Sequence, residues 1–197
     1  FASVTVTAEG RNKDERADDD VADDVHFHVD ASAHEGGAWV NDPAGWKYCY
    51  TDSTCAKGPL AIGADSYYFD EKGILGTGWV NYDGAWHWLG TSGRIATGWA
   101  KVADAWYYMD NSGAMTTGWT QVRGSWFYLA DSGKMATGWT KIGDSWYYFQ
   151  DSGAMATGWV NDGGTWYYLN ESGQMATGRV QIDGTWYTFD KSGALRR

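Results

Sequence analysis

The chain has 197 residues, 43% apolar and 17% aromatic, with 27 glycines, 14 tryptophans and only two prolines. Its formal charge of −10 comes with no basic face to neutralise phosphates, so nucleic acid is excluded as a partner. No apolar run has the length of a membrane-spanning helix, so membrane insertion is not expected.

The sequence shows no signal-peptide pattern, which fits a mature or trimmed product. Phe1 to Ala8 alternates as a short strand, and Arg11 to Asp24 is a charged run that reads as linker or disorder. His26 and His28, with Asp23, Asp24 and Asp30, have the alternate spacing that would let a strand face bind a metal. A polar edge strand explains them better, and no metal or other cofactor is expected. Residues 1–38 hold ten acids against three bases, whereas the rest of the chain holds 15 against 12. We read 1–38 as an acidic strand and linker segment and 39–197 as a repeat array.

The array has a period of twenty without insertion. Thr-Gly-Trp opens at Thr77, Thr97, Thr117, Thr137 and Thr157, and Thr-Gly-Arg opens at Thr177. Eight units fit, starting at Trp39, Pro59, Trp79, Trp99, Trp119, Trp139, Trp159 and Arg179. A second tryptophan follows seven residues later at Trp46, Trp86, Trp106, Trp126, Trp146, Trp166 and Trp186, with Ser66 as the gap. All 14 tryptophans except Trp88 belong to these two columns, and His87 is a variant of the tyrosine column beside them. A strict period of this size predicts a solenoid whose units lean on one another.

Cys49 and Cys55 stand in the first unit where others carry apolar pairs such as Phe149 and Met155. These positions flank a turn, so a disulfide and an oxidising, extracellular setting are expected, with two buried free thiols as the alternative.

Within the unit beginning at Thr137, Ile142-Gly143-Asp144-Ser145 and Asp151-Ser152-Gly153 are turn signals around the run Trp146-Tyr147-Tyr148-Phe149. The unit therefore reads as a β-hairpin followed by a glycine-bearing turn. A first turn centred between Ile142 and Gly143 sets Trp139 directly across from Trp146. Alternation then puts Tyr148 on their face and Tyr147 and Phe149 on the other, with Tyr147, Phe149 and Met155 expected in the core. Asn170-Glu171-Ser172 matches a glycosylation acceptor but coincides with the repeat's turn. No Gly-x-Ser-x-Gly, His-Glu-x-x-His or Cys-His arrangement is present, so no enzyme is expected.

The fixed register of Gly-Trp, Trp-Tyr-Tyr and Ser-Gly-x-Met over residues 39–197 resembles the cell-wall-binding, or choline-binding, repeats of Gram-positive surface proteins and lysins. The resemblance implies an all-β solenoid of stacked β-hairpins that is secreted, associates with the cell wall and binds choline or phosphocholine on teichoic acid. It implies boxes of two aromatics from one repeat and one from the next, often with a methionine as a further wall. Carried onto this chain the boxes are Trp99, Trp106 and Tyr128; Trp119, Trp126 and Tyr148; and Trp139, Trp146 and Tyr168. Trp79, Trp86 and Tyr108 form a fourth, with Ile95 at the methionine position, and Trp39, Trp46 and Tyr68 a fifth. On this reading Trp159 and Trp166 fail, because they meet Thr188, and the carboxy-terminal end is a non-binding cap. Such repeats are commonly joined to a catalytic or adhesive domain. Glucan-binding repeats of secreted glucosyltransferases and clostridial toxin repeats carry similar segments, so glucan is the alternative ligand.

Overall fold

The computed structural model describes residues 36–196, so the amino-terminal strand, the charged run and the His26 and His28 reading lie outside the described residues. Every regular element described is a strand, and each strand pairs with its sequence neighbour to give eight two-stranded sheets. No helix among the described residues is long and apolar enough to cross a membrane. No group of three or more His, Cys, Asp or Glu side chains there could hold a metal ion.

The strands fall into two compact units. The first holds the described residues through Val102 together with Tyr108–Met115, and the second holds Ala103–Tyr107 and the residues from Thr116 onward. The first contains β1 (Gly37–Asp42), β2 (Gly45–Tyr50), β3 (Gly58–Ile62), β4 (Asp65–Phe69), β5 (Gly78–Tyr82), β6 (Ala85–Leu89) and β7 (Gly98–Val102). The boundary falls within β8 (Ala105–Met109). The second unit contains β9 (Gly118–Val122), β10 (Ser125–Leu129), β11 (Gly138–Ile142), β12 (Ser145–Phe149), β13 (Gly158–Asp162), β14 (Thr165–Leu169), β15 (Gly178–Ile182) and β16 (Thr185–Phe189).

The hairpin register differs from the sequence expectation. Trp139 lies opposite Tyr148, Lys141 opposite Trp146 and Ile142 opposite Ser145, which leaves Gly143-Asp144 as the two-residue turn. Turns this tight begin in the left-handed region: φ is +60° at Gly143, and +49° and +82° at Asp183 and Gly184. β-Branched Ile142 is a poor residue for that conformation, so the turn moves one residue on. The shift leaves strand parity unchanged, and Trp139, Trp146 and Tyr148 still share one face.

Successive hairpins are tied through the loop that follows each one. In the second unit Met155 N–H donates to the Trp126 carbonyl at 2.7 Å, and Met175 and Leu195 donate to Trp146 and Trp166 at 2.8 Å. In the first unit Leu75 donates to Trp46 at 2.7 Å and Ile95 to Ser66 at 2.8 Å. Each unit is thus a stack of hairpins, as the period requires.

The side of each hairpin facing away from the paired tryptophans supplies the core. Phe69, Leu89 and Met109 in the first unit, and Leu129, Phe149 and Leu169 in the second, are fully buried. Each bridges to a residue of the following loop, as Phe149 does to Met155. In the first hairpin the corresponding bridge joins Cys49 and Cys55, and there the structure contains the disulfide. Gly153 turns the loop between Phe149 and Met155 at φ +82°, where a side chain would be strained and a Cβ would force the Met135 side chain to move.

Aromatic grooves between hairpins as the candidate functional site

Within each unit a tryptophan face looks onto the opposite face of the hairpin that follows it, as at Trp39, Trp119, Trp139 and Trp159, and strand parity decides which rings meet. Trp119 lies 4.9 Å from Tyr147 edge to face, with Trp126 at 6.3 Å, Phe149 at 5.8 Å and Tyr128 of its own hairpin at 5.3 Å between ring centroids. Trp139 meets Tyr167 at 4.7 Å, and an open groove there is lined by Trp139, Trp146, Tyr167, Met175 and Ser192. In the first unit Trp39 meets Tyr67 at 5.0 Å and Phe69 at 5.8 Å.

This geometry corrects the third wall carried over from the resemblance. Tyr148 and Tyr168 lie across from Trp139 and Trp159 in their own hairpins, at 5.1 and 5.2 Å, and Tyr128 lies across from Trp119 likewise. The rings that reach back across the groove are Tyr67, Tyr147 and Tyr167, one residue earlier and therefore on the opposite strand face. Tyr68 stacks on Tyr82 at 4.8 Å instead of closing the Trp39 groove. The methionine wall of the Trp139 groove is Met175, whose N–H bonds the Trp146 carbonyl. By the same backbone bond the residue returning to Trp86 is Met115, not Ile95.

The carboxy-terminal end also departs from the expectation. Trp159 meets Tyr187 at 4.9 Å, Phe189 at 5.8 Å and Trp166 at 6.3 Å, nearly the same geometry as the Trp119 groove. Thr188 is no obstacle, because it lies opposite Arg179 in its own hairpin. Within that last hairpin the Arg179 guanidinium lies 4.6 Å from the Trp186 ring centroid, so the chain's own cation covers that indole.

In the first unit Trp79 and Trp86 are edge to face at 6.5 Å, and Trp88 takes the tyrosine place beside Trp79 at 5.3 Å. Trp99 lies in the first unit, edge-on to Tyr108 at 5.0 Å, while Trp106 and Tyr128 belong to the second.

Where Pro59 and Ser66 replace the tryptophans, Tyr68, Tyr82 and His87 form a stack, with Tyr82 and His87 rings 3.8 Å apart. Burial pushes the Tyr82 hydroxyl up to about 12 and holds the His87 imidazole below its ordinary value.

The grooves combine open space with indole and phenol faces. Trp146 keeps 41% of its surface exposed while its neighbour Tyr147 is buried. Such walls offer electron-rich faces and methyl-sized apolar contacts, the chemistry that recognises a quaternary ammonium group.

A family model described as a choline-binding repeat matches residues 96–137, 136–179 and 156–197, and one described as a putative cell wall binding repeat matches 77–95. The solved structure of CbpJ from Streptococcus pneumoniae is 41% identical over 77% of this chain and 56% of that one, with a TM-score of 0.74. Choline binding protein F from the same organism, solved with a peptidoglycan analogue, is 36% identical over 82% and 58%, with a TM-score of 0.76. The modular autolysin LytC of that organism is 27% identical over 81% and 39%, with a TM-score of 0.55. The chain thus spans a little over half the length of the first two. No curated protein sequence matches significantly. With the family models covering more than half of its length, the chain belongs to the choline-binding repeat family.

Proposed function

We propose that this chain is a non-catalytic anchoring module that holds a cell-surface or secreted protein on the wall by binding choline groups of teichoic acid. The observation that carries the reading is the repeated groove of two tryptophans, a tyrosine from the next hairpin and a methionine or other apolar side chain, exemplified by Trp139, Trp146, Tyr167 and Met175. Membership in a family of cell-wall-binding repeats supports it.

A trimethylammonium group donates no hydrogen bonds, and each aromatic face contributes roughly 0.5 to 2 kcal/mol of attraction to it. Three faces, less the entropy of association, give a dissociation constant near ~1 mM for one choline. Several such grooves on one chain, engaging a polymer that carries many cholines, raise avidity by about 10² to 10⁴. The groove of Trp159, Trp166 and Tyr187 belongs with those of Trp39, Trp119 and Trp139 in this account.

The test is calorimetric titration of the whole chain with choline chloride, with dextran in a parallel cell. Heat from choline that saturates at several equivalents per chain is expected. Heat with dextran alone would move the function to glucan binding, and silence with choline would overturn the proposal.

A further inference from the structure

Among the described residues, the Trp139 groove has a polar contact on its indole N–H that the Trp119, Trp159 and Trp39 grooves lack. The indole N–H of Trp139 donates to the Asp162 carboxylate at 2.9 Å. Asp162 ends β13, in the hairpin that follows Trp139. Twenty-residue shifts place Ile142 at the matching position relative to Trp119, Ile182 relative to Trp159 and Ile62 relative to Trp39. An isoleucine side chain can accept no hydrogen bond, so an indole beside it gains no such restraint from that position.

A carboxylate on the indole N–H acts in two ways. The bond is charge-assisted and directional, so it fixes the ring that forms one wall of the groove. It also polarises the indole and adds negative potential next to the groove, and both effects favour a cation at the ring face. A neutral guest of the same shape gains from the fixed wall but not from the charge.

We propose that Asp162 is a specificity-determining residue that makes the Trp139 groove the charge-selective site of the second unit. It acts through Trp139, favouring a quaternary ammonium over a neutral isostere more strongly than the Trp119 groove does. This inference rests on the choline reading above. Asp162 is solvent-exposed, so its contribution is screened and modest, about two- to fivefold in relative affinity.

The test follows the indole N–H resonances of the full chain by NMR, those of Trp139 and Trp119 being assigned from their loss in Trp139→Phe and Trp119→Phe. Choline chloride and its uncharged analogue 3,3-dimethylbutan-1-ol are titrated separately. The ratio of the two dissociation constants is expected to favour choline about two- to fivefold more at Trp139 than at Trp119. In Asp162→Asn, whose amide oxygen still accepts the indole bond, the Trp139 ratio should fall to the Trp119 value. Binding of the neutral analogue at Trp139, and of both ligands at Trp119, should stay as in the wild type. Equal ratios at the two grooves of the wild type, an unchanged ratio in Asp162→Asn, or equal weakening of both ligands would each overturn the proposal while leaving the choline reading intact. No response to choline at any indole would overturn both.

Discussion

The Trp139 groove in the second unit and the Pro59 and Ser66 position in the first are built on the same backbone but carry different side chains. Met175 N–H reaches the Trp146 carbonyl at 2.8 Å, and Ile95 N–H reaches the Ser66 carbonyl at the same 2.8 Å. The tie between hairpins therefore forms with or without the tryptophans. Without them, Tyr82 fills the space between Tyr68 and His87. The fold needs the hydrogen-bonded loop and the buried column, and leaves the two indole positions free for another purpose.

The largest expected effect tests that division of labour. Phe149 is 0% exposed, and Phe149→Ala should cost about 3–5 kcal/mol and lower the denaturant midpoint of the second unit sharply. Trp146→Ala removes a ring that is 41% exposed and should cost only about 1–2 kcal/mol while abolishing choline binding at its groove. Urea unfolding and choline titration of both variants check this. Equal destabilisation would show that the indoles are structural and end the contrast.

Next in size is the clamp of the first hairpin. Reducing the Cys49–Cys55 disulfide, which closes a short loop, should cost about 2 kcal/mol. The loss should be confined to the first unit, raising amide exchange around β1 and β2 and leaving choline binding at Trp119 and Trp139 unchanged. Hydrogen exchange with and without reductant measures this directly.

A smaller change concerns stoichiometry. Trp159→Ala should lower the number of cholines bound at saturation by one, since Trp159, Trp166 and Tyr187 repeat the Trp119 geometry. An unchanged number would restore the idea of a non-binding carboxy-terminal end.

That idea shows where the sequence was legible. The period of twenty, the hairpin with its second turn, the facing Cys49 and Cys55, and the buried Tyr147 and Phe149 are all local patterns, and each is found in the structure. The partner ring across each groove is a relation between hairpins, and one residue of offset exchanges Tyr167 for Tyr168. Parity already held the clue. A residue sharing the Trp146 face points to the following groove, so the ring returning from the next hairpin must come from the opposite face. Seen that way, Tyr187 and not Thr188 faces Trp159. Asp162 had no such signal, because a turn-flanking aspartate is ordinary and only the spatial neighbour Trp139 gives it a role.

The smallest effect belongs to the filled groove itself. His87 is 4% exposed, and burial holds its imidazole below the ordinary value of 6.5, with the backbone at Gly113, the charges of Asp110 and Asp83, and the backbone at Tyr82 pulling the other way. Its Nδ1 is buried without a hydrogen-bond partner, and its ring lies flat against Tyr82. The unfolded chain therefore takes up a proton before the folded one does as the pH falls. Stability from the neutral buried ring is fully present above about pH 6.5 and is lost progressively below it, levelling off once the folded state also protonates. The first unit's melting midpoint should drop between about pH 7.5 and about pH 5.5. His87→Tyr, which restores the residue found at Tyr147 and Tyr167, should remove that part of the drop, and the second unit should show no counterpart. An identical pH response in the wild type and in His87→Tyr would mean that the stack carries no proton linkage. The filled groove would then differ from the open ones in shape alone.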